Sequence, residues 1–204
     1  ASRLPHQNNH MPYEKADVLD IAYKDGKIAA KTISDLKNLK NQEKPFFLAA
    51  GFLKPHLPFN APAKYWEMYD RDDISPRANN TFPETAYKGA GNWYELVKYK
   101  GDRKDNSSNS ALNATSFTMD EEMTIDLIHG YYACVSYIDQ QIGNVLQALE
   151  DLKLSENTIV IITSDHGFSL SEHNRWSKHN LFKVENQVPL FIKVPGLSQS
   201  GKSN

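Results

Sequence analysis

Apolar residues recur along this chain with two different periods, and the switches between them outline the elements. From residue 25 onward Ile28, Ala29, Ile33, Leu36 and Leu39 fall three or four apart, the spacing that lines one face of a helix, until the polar run Lys40-Asn-Gln-Glu-Lys44. Asp25 stands where an N-cap carboxylate would accept free amide protons of the first turn. The next run, Phe46-Phe-Leu-Ala-Ala-Gly-Phe52, is continuous rather than periodic and predicts a strand. It empties into Lys54-Pro-His-Leu-Pro58, where each proline fixes its own φ and biases its predecessor away from helix. His56 is therefore expected on a stiff, extended loop.

Pro62 opens a short predicted helix that runs to about Tyr69. The helical period returns behind Thr118-Met-Asp-Glu121, a capping-box pattern. Leu127, Tyr131, Cys134, Ile138, Ile142, Val145, Leu149 and Leu152 then predict one long helix with a buried stripe. Next comes Thr158-Ile-Val-Ile-Ile-Thr-Ser-Asp165-His166-Gly167, whose β-branched run reads as a buried strand of a parallel sheet. Gln187-Val-Pro-Leu-Phe-Ile-Lys-Val-Pro195-Gly196 is a second strand-like run. Strand, helix and strand in this order give a right-handed crossover and an α/β class. Residues 1–24 read as an irregular lead-in, and neither a repeat nor a domain boundary interrupts the chain.

One long polar stretch, about residues 71–117, breaks this regularity with Asn, Ser, Gly, Lys and Asp. An insert of that length in a compact domain either shapes a substrate pocket or is mobile. Its three matches to the glycosylation acceptor pattern, starting at Asn79, Asn106 and Asn113, arise readily by chance in so Asn- and Ser-rich a segment.

Ligands of open α/β sheets bind beyond the carboxyl ends of the strands, where Asp165 and His166 stand. A carboxylate beside an imidazole there suggests metal ligation; the competing reading is a plain turn with a helix cap. The intervals of seven and six residues that separate His166, His173 and His179 match no standard zinc signature. Ser164 lacks the Gly-x-Ser-x-Gly elbow of a serine hydrolase. Cys134, the single cysteine, lies on the apolar helix face and reads as a small buried thiol.

Three blocks in order carry a resemblance: the Phe46 run with Lys54-Pro-His-Leu-Pro-Phe59, the Thr158 run with Asp165-His166-Gly167, and Glu172-His-Asn-Arg-Trp-Ser-Lys178-His179 with the Gln187 run. Together they resemble the formylglycine-dependent sulfatases of the alkaline phosphatase superfamily, and within them the iduronate-2-sulfatase-like branch. The resemblance implies an alkaline-phosphatase-like sandwich, a mostly parallel sheet flanked by helices. Residues 1–204 would then form the middle and later part of a single catalytic domain. By the same resemblance Asp165 and His166 are ligands of a calcium ion, and Lys178 and His56 are catalytic. Lys178 would bind the sulfate and the leaving oxygen, and His56 would contact the sulfate ester and be a candidate acid. His166 could instead hydrogen-bond the nucleophile or a sulfate oxygen. Lys54, His173, Trp176 and His179 are taken as supporting residues.

The sequence departs from that family in one respect. It contains neither the metal-binding Asp-Asp pair that follows the family's first strand nor the Cys-x-Pro/Ala/Ser-x-Arg motif whose cysteine becomes formylglycine; around Cys134, Ile138 stands where the arginine would be. The nucleophile is therefore expected outside this chain, and the isolated chain is expected to be inactive. A sulfated saccharide is the implied substrate, and the implied compartment is periplasmic, secreted or lysosomal. Alternatives are a phosphoesterase or phosphonate hydrolase of the same superfamily, or a non-catalytic fragment or carbohydrate-binding remnant.

Composition bears mainly on partners. With 40% hydrophobic residues the chain can build one sizeable core. The near balance of 23 basic and 25 acidic residues argues against nucleic acid or a charged membrane surface as partner. No apolar run approaches the roughly 20 residues of a membrane span. Oligomeric state leaves no mark on the sequence.

Overall fold

The computed structural model describes residues 11–76, 79, 81–85, 95, 96, 99 and 119–197. In chain order the elements are β1 (Tyr13–Ala16), α1 (Lys24–Leu39), β2 (Phe59–Pro62), α2 (Ala63–Trp66), α3 (Glu121–Asp151), β3 (Val160–Thr163), β4 (Ser169–Leu170), β5 (Trp176–Ser177), α4 (Lys183–Asn186) and β6 (Leu190–Lys193). β1 and β2 pair in parallel with Tyr13 opposite Phe59, whereas β3 with β6 and β4 with β5 are antiparallel.

The long helix α3 forms as its periodicity predicts, and the other elements pack around it. Asp120 is its N-cap, accepting a hydrogen bond from Met123 N at 3.4 Å, while Thr118 lies outside the described residues. Its buried stripe includes Leu127, Cys134, Tyr137, Gln141 and Leu149. Phe59, Leu127, Tyr137 and Trp176 are almost wholly enclosed in the main core. Burying such side chains contributes about 1.5–3 kcal/mol each. Phe59 meets Tyr131 and Phe168 at ring separations of 5.6 and 5.8 Å, which anchors β2 and the segment behind Gly167 to the same face of α3. Tyr137 is satisfied as well as buried: its hydroxyl accepts from Gly26 N at 2.7 Å and donates to Asp20 O at 3.0 Å, fixing the start of α1 on α3.

A second apolar cluster of Leu36, Leu149 and Leu154, with Phe46, Leu48 and Val160 against it, seats β3 and residues 46–52 on α1 and α3. Three expectations change here. Residues 46–52 pair with no strand among the described residues; Phe46 and Leu48 pack inward while Phe47 is 93% exposed. The Thr158 run does form a strand, but β3 pairs antiparallel with β6 and keeps Ile161 61% exposed, so neither the parallel ladder nor the full burial expected of it holds within the described residues. A continuous apolar run specifies an extended segment without specifying its neighbour or its partner's direction. Lastly, Asp25 is not an N-cap. α1 starts one residue earlier behind Tyr23, and Asp25 lies inside its first turn, only 1% exposed.

Candidate active site

The Lys54-Pro-His-Leu-Pro block is a tight turn rather than an extended loop. His56 N donates to Leu53 O at 2.9 Å, and the Lys54–Pro55 and Leu57–Pro58 peptide bonds are both cis. Two side chains hold it. Buried Asp25 accepts from Leu53 N at 2.8 Å and Lys54 N at 3.0 Å, and Lys54 Nζ donates to the carbonyls of His56 and Pro58 at 2.8 and 2.6 Å. Lys54 is thus a staple of the turn, and burial pushes its ammonium down, partly offset by neighbours that include Asp25. The ring of His56 is oriented from within the turn: its Nδ1 lies 2.7 Å from Leu57 O. A carbonyl can only accept, so Nδ1 carries the proton and Nε2 is the atom offered to the site.

β3 ends at Thr163, and Asp165 and His166 follow on its carboxyl side. Ser164 Oγ donates to His166 O at 2.9 Å, and His166 N donates to Asp165 Oδ1 at 3.0 Å, so the pair is set by bonds within the turn. His166 Nδ1 faces Gly167 O at 2.6 Å, which leaves Nε2 bare and 3.8 Å from Asp165 Oδ2. The segment is clamped from below by α4: Gly167 N donates to Glu185 O at 2.8 Å, and a Cβ at Gly167 would lie only 2.1 Å from Val184 O. Only glycine lets the two backbones approach so closely.

Lys178 reaches the same place through the β4–β5 hairpin. Its register sets Ser177 opposite Ser169, two residues beyond Gly167, so the residue after Ser177 returns beside the Asp165–His166 turn. Ser177 and His179, on either side of Lys178, both have positive φ, as do Ser171, His173 and Asn174. Left-handed backbone at non-glycine residues costs of order 1–3 kcal/mol each and concentrates where geometry is imposed by function. Beneath the hairpin, buried Arg175 pairs with buried Glu185 at 3.4 Å, and Ser169 Oγ donates to the same carboxylate oxygen at 2.6 Å. Trp176 is core, and His173 stacks on Phe182 with ring centroids 5.7 Å apart.

One residue that sequence reasoning did not single out ties these parts together. Glu95, from the insert, places Oε1 3.0 Å from Lys178 Nζ, 3.7 Å from His56 Nε2 and 3.9 Å from His179 Nε2. Lys178 also acts on Asp165. Burial raises the Asp165 carboxyl, but His166, the backbone amides of both residues and Lys178 outweigh it and hold the carboxyl below the usual carboxylate range. All four residues expected at the site, His56, Asp165, His166 and Lys178, are therefore linked in one region. The sequence signal for Glu95 is its place as a lone acid in Trp93-Tyr-Glu-Leu-Val97, an apolar patch in a polar insert.

Asp165 and His166 suit a cation in part. The Asp165 side chain is 87% exposed and ionised, and the bare Nε2 of His166 lies close by. Calcium takes six to eight oxygen-rich ligands. Among the described residues no group of three or more candidate ligands occurs, so these two are a partial donor set. Cys134 is fully buried and burial pushes its thiol up to about 12, which confirms it as packing and excludes it as a reactive thiolate. Of the acceptor-pattern sites, those at Asn106 and Asn113 lie outside the described residues. No helix among the described residues is long and apolar enough to cross a membrane.

Comparison with known proteins gives the family. The family model described as Sulfatase matches residues 5–204. The iduronate 2-sulfatase of Mus musculus is 35% identical over 197 residues, covering 94% of this chain and 34% of the relative. That of Homo sapiens is 34% identical over 200 residues, covering 96% and 35%. The chain thus spans about a third of the length of the curated relatives it matches. Among solved structures, a phosphonate monoester hydrolase from Silicibacter pomeroyi superposes with a TM-score of 0.65 at 20% identity, over 88% of this chain and 34% of that one, a likeness of fold. That likeness bears out the expected alkaline-phosphatase-like α/β class. With the model matched along nearly its whole length and relatives a third identical across it, the chain belongs to the sulfatase family.

Proposed function

We propose that this chain forms part of a sulfuric ester hydrolase acting on a sulfated carbohydrate, with His56 and Lys178 as catalytic residues and Asp165 and His166 as two ligands of a calcium ion. The observation that carries the proposal is the meeting of Lys178 Nζ and His56 Nε2 at one carboxylate oxygen beside the Asp165–His166 turn. The names of the iduronate 2-sulfatase relatives support a sugar sulfate as substrate. The formylglycine nucleophile and the remaining metal ligands would come from outside these 204 residues. The family implies a periplasmic, secreted or lysosomal compartment.

Hydrolysis of a sulfate ester must neutralise the SO₃ group, bring in a nucleophile and protonate an alkoxide that leaves poorly. A bound calcium ion would polarise sulfate oxygens. Lys178 supplies a positive charge from a dry setting, where it interacts more strongly with the developing anion than an exposed lysine would. His56 acts from Nε2. With Nδ1 held by Leu57 O, protonation at Nε2 creates an acid aimed into the site, and the proton passes to the departing oxygen as the S–O bond breaks. Asp25 and Lys54 position that ring without touching the reaction.

The test uses the full-length protein that contains this chain, assayed on a nitrophenyl sulfate, a sulfated monosaccharide and a nitrophenyl phosphonate monoester. Lys178→Ala should lower kcat/KM on both sulfates by roughly two to four orders of magnitude. His56→Ala should slow the sugar sulfate far more than the nitrophenyl sulfate, whose leaving group departs unaided. Equal losses on both would leave His56 a sulfate-binding role only. Faster turnover of the phosphonate than of either sulfate would replace the sulfatase proposal with phosphonate hydrolysis.

A further inference from the structure

We propose that Glu95, brought in by the polar insert, is the positioning residue of the catalytic lysine: its carboxylate holds the Lys178 ammonium at an oxygen that also neighbours His56 Nε2, and so keeps the two nitrogens poised for the substrate. The proposal rests on the reading of Lys178 and His56 given above and extends it to a residue from a segment that carries none of the recognisable motif blocks.

Three features support it. The Lys178 side chain is only 9% exposed, and Glu95 at 3.0 Å is its ion-pair partner among the described residues. Taking an ammonium out of water is costly unless a well-placed anion compensates, so a Lys178 deprived of Glu95 would swing toward solvent. Second, the same Oε1 lies within 4 Å of His56 Nε2 and His179 Nε2, so one atom is the common neighbour of both catalytic nitrogens. Third, the other oxygen, Oε2, is buried and has no hydrogen-bond partner among the described residues. Among the described residues, Lys178 is thus the main anchor of the carboxylate. Motif blocks bring the two catalytic nitrogens to the site; a residue of the insert fixes where the lysine stands.

The experiment is a double-mutant cycle in the full-length enzyme with Glu95→Gln, Lys178→Ala and the pair. It measures kcat and KM on a nitrophenyl sulfate and on a sulfated monosaccharide, inhibition by inorganic sulfate, and Tm. Glu95→Gln, which keeps size but removes charge, should lower kcat roughly 10- to 100-fold on the sugar sulfate with little change in KM or Tm. Lys178→Ala should then cost roughly tenfold less in the Glu95→Gln background than alone, because residues that act as a unit are not additive. Glu95→Ala serves as the second variant where the amide folds poorly, with the same expected coupling. Unchanged kcat with tighter KM and tighter sulfate inhibition would make Glu95 an internal plug of the anion site and overturn the proposal. Strictly multiplicative effects would overturn it as well. Full turnover by Lys178→Ala would instead remove Lys178 from the active site, a failure of the functional reading that is visible before any Glu95 variant is scored.

Discussion

Asp25 gives the most direct test of how the candidate site is built, because its contacts are structural and hold the turn that carries the proposed catalytic His56. The carboxylate is 1% exposed and receives the amide protons of Leu53 and Lys54, the two residues that open the His56 turn, at 2.8 and 3.0 Å. Hydrogen bonds to a charged group contribute about 1.5–3 kcal/mol each. Asp25→Ala removes both and leaves the two amides to find water at a partly buried turn, so a loss of about 3–5 kcal/mol is expected. Asp25→Asn keeps the shape and one acceptor but turns an amide donor toward the second N–H, for a loss of about 2 kcal/mol. Urea denaturation of the full-length protein gives these values directly. As a control, Asp35, paired with Lys31 on the exposed face of α1, should cost only about 0.3–0.5 kcal/mol on mutation to Ala. Because the bonds lost are those that set His56, Asp25→Asn should also depress turnover of a sugar sulfate more than of a nitrophenyl sulfate. A loss for Asp25→Ala no larger than that for Asp35→Ala would refute the assignment of Asp25 as the clamp of this turn.

Further outcomes follow from other contacts. Gly167→Ala puts a methyl group 2.1 Å from Val184 O, so α4 must move; a loss of about 2–4 kcal/mol in the urea midpoint is expected, together with weaker calcium binding by titration calorimetry, and an unperturbed protein would show that the close approach is not real. The Cys134 thiol, pushed up to about 12 by burial, stays protonated at pH 8, so iodoacetamide should label it readily only in denaturant; native labelling at the rate of a free cysteine would refute its burial. Asp165→Ala in the full-length protein should weaken calcium binding by roughly 100-fold or more if the proposed ligand role holds; unchanged affinity would remove Asp165 from the proposed metal site.

Much of this was legible because it is local in sequence. The α3 stripe from Leu127 to Leu149 announces itself by period, and the burial of Cys134 follows from its place on that stripe. Asp165, His166, His56 and Lys178 stand out because each lies next to a strand-like run or a proline-locked block, and the fold brings Lys178 and His56 to one carboxylate with the Lys178 charge acting on Asp165. The pairing of β3 was not legible. Thr158-Ile-Val-Ile-Ile-Thr specifies an extended chain, but ladder direction depends on what lies beside it, and β6 runs the opposite way.

The two residues that organise the site were missed for a common physical reason: each acts across a gap that no local pattern spans. Asp25 reaches 28 residues forward to the Leu53 amide, yet an acid at the start of a helical stripe has an ordinary explanation in capping and in the helix dipole, and the sequence offers nothing to displace it. Glu95 lies in a stretch without period and meets His56 and Lys178 from two distant blocks. The motif residues are those whose chemistry dictates their identity, so they stand out by type and place. The carboxylates that hold them are dictated only by distance and burial: Asp25 must accept two amides in a dry turn, and Glu95 must neutralise a buried ammonium. Such demands exist only once the chain has folded. The motif blocks therefore carry the proposed reactive groups, while their placement depends on acids that read as ordinary helix and loop residues until the fold brings them in.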